Sequence, residues 1–241
     1  VLLARYRIYP EAIAHFQMAA AAAPRSDDAK YNLSNAYFRM GDYRRALETL
    51  EQTSPQAPQD ETLRVLWGDV YAHIERTADA VKIFEAAIQK NPENERYHLL
   101  LAWAHLRADD HQATRASLQR GLDRVPNSGE LCWGMGVLSA LEGDAEKAEG
   151  LLLRSVDLMP EWQGGYSALG LFYYQTGQIT KAREVVDRFA RLFPHSGLNI
   201  AHLQRALTAV RDSPLQENPF LSPAARQQFL DLALGLADQT P

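Results

Sequence analysis

The sequence predicts an all-α fold, a solenoid of stacked antiparallel helix pairs, from three observations. These are a 34-residue period, ladders of packing residues in that register, and a repeated turn signature between the two helices of each unit. The prolines show the period most plainly. Six of the twelve, Pro24, Pro58, Pro92, Pro126, Pro160 and Pro194, stand 34 residues apart without a slip. Each falls where a helix has to stop, because proline has no amide hydrogen to donate and disfavours helical geometry in the residue before it.

Between the prolines the same register carries small residues at Ala12, Ala46, Ala80, Thr114, Ala148 and Ala182, the places expected for a close approach of two backbones. Four residues later stand Phe16, Leu50, Phe84, Leu118, Leu152 and Val186, a spacing that puts each large group on the same helix face as its small neighbour. A second ladder runs Leu33, Trp67, Leu101, Met135, Leu169 and Leu203, followed by Ser34, Gly68, Ala102, Gly136 and Gly170 until Gln204 breaks it. A third runs Tyr37, Tyr71, His105, Ser139 and Tyr173.

Taken in order, Val1–Arg7 reads as the tail of a first helix, with Leu3 in the register of Tyr37, so the natural polypeptide is expected to begin upstream. Helix pairs are then expected over 28–40 with 43–53, 61–74 with 78–90, 95–108 with 112–124, 129–141 with 145–158, and 163–176 with 179–192. The turns are clearest at Met40-Gly41-Asp42, Glu142-Gly143-Asp144 and Thr176-Gly177-Gln178. Glycine there ends one helix in the left-handed conformation, and the neighbouring aspartate caps the next. After Pro194 a further first helix, 198–211, leads into an irregular stretch. Ser222-Pro223 opens a last helix over 224–237, expected to close the open end of the stack, with occupation of the groove as its alternative. Asn218-Pro219-Phe220 reads as a turn with one anchoring phenylalanine.

These residues resemble the tetratricopeptide repeat family, whose 34-residue unit has a large-then-small pair, an aromatic, a central glycine, an alanine, a bulky residue and a closing proline. The resemblance runs from Val1 to about Pro194. It implies a right-handed superhelical solenoid with a partial first repeat over 1–26, five full repeats over 27–194 and a capping repeat over 195–241. The third full repeat departs from the pattern, with His105, Asp109, Thr114 and Gly121 where the family prefers aromatic, glycine, alanine and alanine, which predicts looser packing.

A composition of 46% hydrophobic and 23% charged residues is an ordinary globular balance. In a solenoid each repeat contacts only its neighbours, so the chain is expected to form one domain despite its length. The one cysteine, Cys132, forms neither an internal disulfide nor a multi-cysteine metal site, and a buried thiol is its expected role. The longest apolar run is far short of a membrane span. Compartment stays open, a soluble, cytoplasmic setting being slightly favoured over an extracytoplasmic one.

In the resembled family, binding residues line the concave face formed by the first helix of each repeat. The exposed remainder of those helices forms four ladders. The first is Tyr31, Val65, Leu99, Trp133, Ser167; the second Asn35, Asp69, Trp103, Val137, Leu171; the third Phe38, Ala72, Leu106, Ala140, Tyr174. They predict an apolar, aromatic groove with Trp103 and Trp133 as one platform, since buried aromatic anchors contribute on the order of 2 kcal/mol or more to binding. Filling of space between helices is the competing reading for both tryptophans. The fourth ladder, Arg5, Arg39, His73 and Arg107, is a basic stripe suited to acidic side chains, or else a set of cations complementing helix C-termini.

The family's lysine and asparagine clamp for a C-terminal carboxylate is not reproduced. Asn32 and Asn35 fit it loosely, but Tyr31 stands where its lysine belongs, and Leu99 and Leu100 stand where basic groups are required. This argues against a chaperone-tail adaptor. The seven histidines, of which His98 and His105 come nearest, show no metal-ligand spacing, and no nucleophile elbow, phosphate loop or dinucleotide fingerprint is present. A net charge of -5 supplies no electrostatic footprint for nucleic acid. The expectation is a scaffold without catalytic residues, cofactor or metal, binding an extended or helical peptide with apolar anchors and some acidic character. A repeat domain of a larger enzyme and a self-assembling structural protein are the alternatives.

Overall fold

A computed structural model of the chain describes residues 9–53 and 61–192. All secondary structure among them is helical. In order the helices are α1 Tyr9–Ala22, α2 Asp27–Arg39, α3 Tyr43–Leu50, α4 Glu61–His73, α5 Thr77–Lys90, α6 Glu95–Arg107, α7 His111–Arg124, α8 Gly129–Glu142, α9 Ala145–Leu158, α10 Gln163–Gln175 and α11 Ile179–Leu192. Boundaries agree with expectation to within a residue, except that α3 stops at Leu50, where Thr53 Oγ1 donates to the Leu50 carbonyl at 2.7 Å. The expected helix tail at Val1–Arg7, the proline turns at Pro58 and Pro194, and the capping repeat over 195–241 lie outside the described residues.

The turns within the pairs share a backbone stop, and three of those described add a side-chain start. Gly41, Gly143 and Gly177 have φ of 84°, 86° and 79°, the left-handed conformation that a helix C-terminus commonly requires. Asp42 and Asp144 then accept from the amides of Arg45 (3.1 Å) and Lys147 (3.2 Å), satisfying orphan donors of the next helix. Asp110 does the same for Ala113 at 2.9 Å, and Ser26 and Ser128 cap first helices. The two units that lack the glycine keep its backbone: Glu75 and Asp109 sit at φ 62° and 58°. A side chain there costs roughly 1 kcal/mol, less for aspartate, which tolerates this region. Glu75→Gly is therefore expected to stabilise the protein by about 1 kcal/mol, with a smaller gain for Asp109→Gly. Thermal unfolding followed by circular dichroism checks this.

The helices fall into two compact units, 1–113 and 114–241, with the boundary just inside α7. In the first, α1 packs on α2, α2 on α3, α4 on α5 and α5 on α6, while the first helices α2, α4 and α6 also touch in succession. Its core runs as two clusters, one around Leu33, Tyr37, Leu50 and Val70, the other around Phe84, Ile88, Tyr97 and Leu101. In the second unit α8 packs on α9, α9 on α10 and α10 on α11, with α8 also against α10.

The expected ladders do the packing. Ala12, Ala46, Ala80, Thr114, Ala148 and Ala182 are all buried, as are Leu50, Phe84, Leu118, Leu152 and Val186. Close approach is real at the small position of the second ladder: Ser34 Oγ donates to the Ala46 carbonyl at 2.9 Å across the pair. A Cβ added at Gly68 would stand 2.6 Å from the Phe84 ring.

Candidate partner-binding surface

The third ladder supplies polar stitching between helices. The Tyr37 hydroxyl accepts from Gln17 Nε2 at 2.7 Å, with the Arg45 guanidinium 5.7 Å from its ring centroid. Arg76 lies 4.2 Å from the Tyr71 ring and bonds Asp79 at 2.6 Å, which holds that carboxyl below its ordinary value. Tyr173 donates to Glu149 at 2.9 Å, and Lys181 reaches the same oxygen at 2.7 Å. Burial, then the Glu149 carboxylate, push the Tyr173 hydroxyl well above the usual phenol range. Partial burial works against ionised Glu149, but its bonds from Lys181 and Tyr173 outweigh this and hold it low.

On the face where the binding ladders were expected, the structure divides them. Tyr31, Asn35 and Arg39 form a half-buried stripe one turn apart along α2, and Val65, Asp69 and His73 form its counterpart on α4. Phe38 does not join them. It is buried, with its ring 4.9 Å from His73 in an edge-on contact and 5.5 Å from Tyr43, while Tyr43 and His73 lie 4.4 Å apart. His73 also donates from Nδ1 to the Asp69 carbonyl at 2.8 Å, so it packs as an aromatic as much as it contributes to a basic stripe. Arg39 and Arg107 lie half-buried in the last turns of α2 and α6, where they complement the helix C-termini.

The aromatic lining expected further along is corrected. Leu99, Trp103 and Leu106 on α6 and Trp133 and Val137 on α8 are all buried, Trp103 at 3% exposure and Trp133 at 0%. The cause is visible in α8, GELCWGMGVLSALE, where every residue from Leu131 to Leu141 is buried. A helix apolar all round is a core helix, and that pattern was present in the sequence. Trp133 meets Trp162 edge-on at 5.1 Å, an aromatic that the repeat ladders do not single out. Trp162 stands just before α10 and leans over Gly164, where an added Cβ would lie 2.4 Å from its ring. Leu171 and Tyr174 on α10 remain half-buried.

Cys132 is buried, as expected, and burial pushes its thiol up, with Arg154 acting the other way. His98 is a packing residue, its Nε2 donating to the Pro92 carbonyl at 2.9 Å; in the same register two repeats on, the Tyr166 hydroxyl donates to Pro160 at 3.1 Å. Among the described residues no cluster of three or more His, Cys, Asp or Glu side chains is placed to hold a metal ion, and no helix is long and apolar enough to cross a membrane.

Comparison with known proteins follows the same lines. Two models of the tetratricopeptide repeat match the chain, over residues 9–65 and 65–129. The Hsp70-Hsp90 organizing protein of Triticum aestivum is 26% identical over 216 residues, a match covering 90% of this chain and 34% of that protein. The chain thus spans about a third of the length of that relative. Among solved structures, a thermophilic TPR protein of Thermus thermophilus superposes with a TM-score of 0.61 at 17% identity, covering 76% of this chain and 98% of that one. A tetratricopeptide repeat protein from Parabacteroides merdae gives 0.59 at 14% identity, covering 96% and 94%. At such identities these two likenesses concern the fold.

Proposed function

The chain belongs to the tetratricopeptide repeat family, and on that premise we propose that it is a non-catalytic interaction scaffold holding an extended or helical partner peptide against α2 and α4. The observation carrying this reading is the pair of half-buried stripes, Tyr31, Asn35, Arg39 and Val65, Asp69, His73, on neighbouring first helices. Core packing leaves these side chains partly uncovered, whereas Leu99 and Trp103 on α6 and Trp133 and Val137 on α8, in the same register, are buried. Such a surface mixes an apolar rim, an amide suited to a peptide backbone and a guanidinium suited to an acidic side chain. Leu171 and Tyr174 offer a separate apolar contact on α10.

The organizing protein raises the question of a chaperone tail as partner. Tyr31 in the place of the clamp lysine speaks against it, as does the burial of Leu99 and Leu100. The test is quantitative capture of partners from the protein's own cell extract, comparing the parent chain with an Asn35→Ala, Arg39→Glu variant of equal helicity and melting temperature. Retention of the principal partner is expected to fall at least about tenfold, as for loss of a central polar anchor. Equal capture of every partner would remove the stripe from consideration.

A further inference from the structure

The first unit contains a cleft of about 420 Å³ between α1, α2 and α3. Its floor is Lys30, Leu33 and Tyr37. At roughly 100° per residue these lie within about 60° of one another and roughly opposite the Tyr31, Asn35, Arg39 stripe, so the cleft is on the other side of α2.

The cleft lies where this repeat carries smaller residues than the next one. Leu33 and Thr49 occupy the positions that carry Trp67 and Ile83 one repeat on. There the Trp67 ring lies tilted against Tyr71 at 5.3 Å, and Ile83 packs on the core. Here the smaller Leu33 and Thr49 line the cleft together with Ala20 and Ala21 of α1.

At its edge sits a cation with donors to spare. The Lys30 side chain is 13% exposed. Its ammonium has three donors; one serves the Gln52 carbonyl, and the Asp27 carboxylate stands 4.0 Å away, beyond hydrogen-bonding distance. The other charges of the α3 wall are paired among themselves or with the preceding turn, Glu48 with Arg44 at 3.2 Å and Arg45 with Asp42 at 3.4 Å. A lysine whose side chain is largely covered, beside a cleft with polar walls and an apolar patch of Leu33, Ala20 and Ala21, suits an anionic head on a short aliphatic body, and the volume is at the small end of ligand sites, which run from about 300 to 1,000 Å³.

We propose that this cleft binds a short aliphatic carboxylate, its head on Lys30 and its tail on Leu33 and Ala20. The carboxylate arrives either as a free small acid or as an acidic side chain of a partner segment. The experiment is titration of the isotope-labelled full chain, followed by amide chemical shifts. The probes are butanoate, its neutral isostere butanamide, and a blocked Ala-Glu-Ala peptide. Saturable shifts centred on Lys30–Tyr37 and Thr49 are expected with an acid. Affinity should be at least about tenfold weaker for butanamide and for butanoate on Lys30→Met, as for loss of a charge-assisted pair. It should be abolished in Thr49→Ile, which puts the larger residue of the next repeat's position 83 into the cleft wall. Tighter binding of the peptide than of butanoate assigns the site to a partner's side chain, and the reverse order assigns it to a free acid. The proposal is overturned if neither acid gives saturable shifts, if butanamide matches butanoate, or if butanoate binds folded Lys30→Met or folded Thr49→Ile undiminished. The Asn35→Ala, Arg39→Glu variant leaves this titration unchanged, so the cleft and the partner stripe stand or fall separately.

Discussion

Trp133→Ala is expected to lower the unfolding free energy by about 3–5 kcal/mol, the range for truncating a large buried aromatic. The side chain has no exposed surface and packs edge-on against Trp162 at 5.1 Å, on a helix that is buried on nearly every side. Removing the indole forfeits its buried area and leaves a cavity, and Trp162, at a helix start, has to follow or lose its partner. A groove anchor would behave differently: truncating a surface side chain changes stability by less than about 0.5 kcal/mol and acts on partner capture instead. Denaturant unfolding separates the two, together with amide exchange. Repeats are coupled chiefly to their neighbours, so protection should be lost first in α8, α9 and α10. Unfolding within 0.5 kcal/mol of the parent chain would return Trp133 to the list of binding residues.

Gly136→Val is expected to cost about 3 kcal/mol, at the upper end for overpacking a core. A Cβ at Gly136 would lie 2.9 Å from Leu152 Cγ and 3.2 Å from the Leu152 backbone nitrogen. The side chain could turn away, but the backbone can yield only by moving α9 off α8. Gly150, on the open side of α9 with nothing within 4 Å of its added Cβ, is the internal control. Gly150→Ala should stabilise by about 0.5–1 kcal/mol through helix propensity. Equilibrium unfolding of the two variants has to show opposite signs. A Gly136→Val protein as stable as the parent would mean that the small-residue ladder is not a close-approach position.

Much of this architecture is legible residue by residue. The prolines and turn glycines act through the backbone of their immediate neighbours, so Gly41, Gly143 and Gly177 predict their left-handed turns with no knowledge of the rest of the molecule. Glu75 and Asp109 mark the limit of that logic. Glutamate does not favour the left-handed region and aspartate only tolerates it, yet both adopt it, because each sits between two helices whose packing requires the same turn. The third repeat, with Asp109 and Thr114 in place of glycine and alanine, keeps its turn and buries Thr114 completely.

The candidate surface was only half legible. Tyr31, Asn35, Arg39, Asp69 and His73 were recognisable as residues left over from the packing pattern, and they are partly uncovered. Leu99, Trp103, Trp133 and Val137 occupy the same repeat positions and are buried, as are Phe38 and Leu106 of the third ladder. Periodicity assigns a position to a helix face, but how much of that face is covered depends on the side chains that pack against it.

From the sequence by itself follow the helix pairs, their boundaries and the residues that bind each pair together, because capping, proline exclusion and small-to-large contacts act over one repeat or between neighbours. The tertiary structure alone decided which members of an identical register stay open. Tyr31 and Val65 are half-covered while Leu99, Trp133 and Ser167 are buried, and Leu33 lines a cleft that its place in the ladder does not announce. Burial is a property of all the neighbours at once, and a 34-residue period specifies only where each side chain starts.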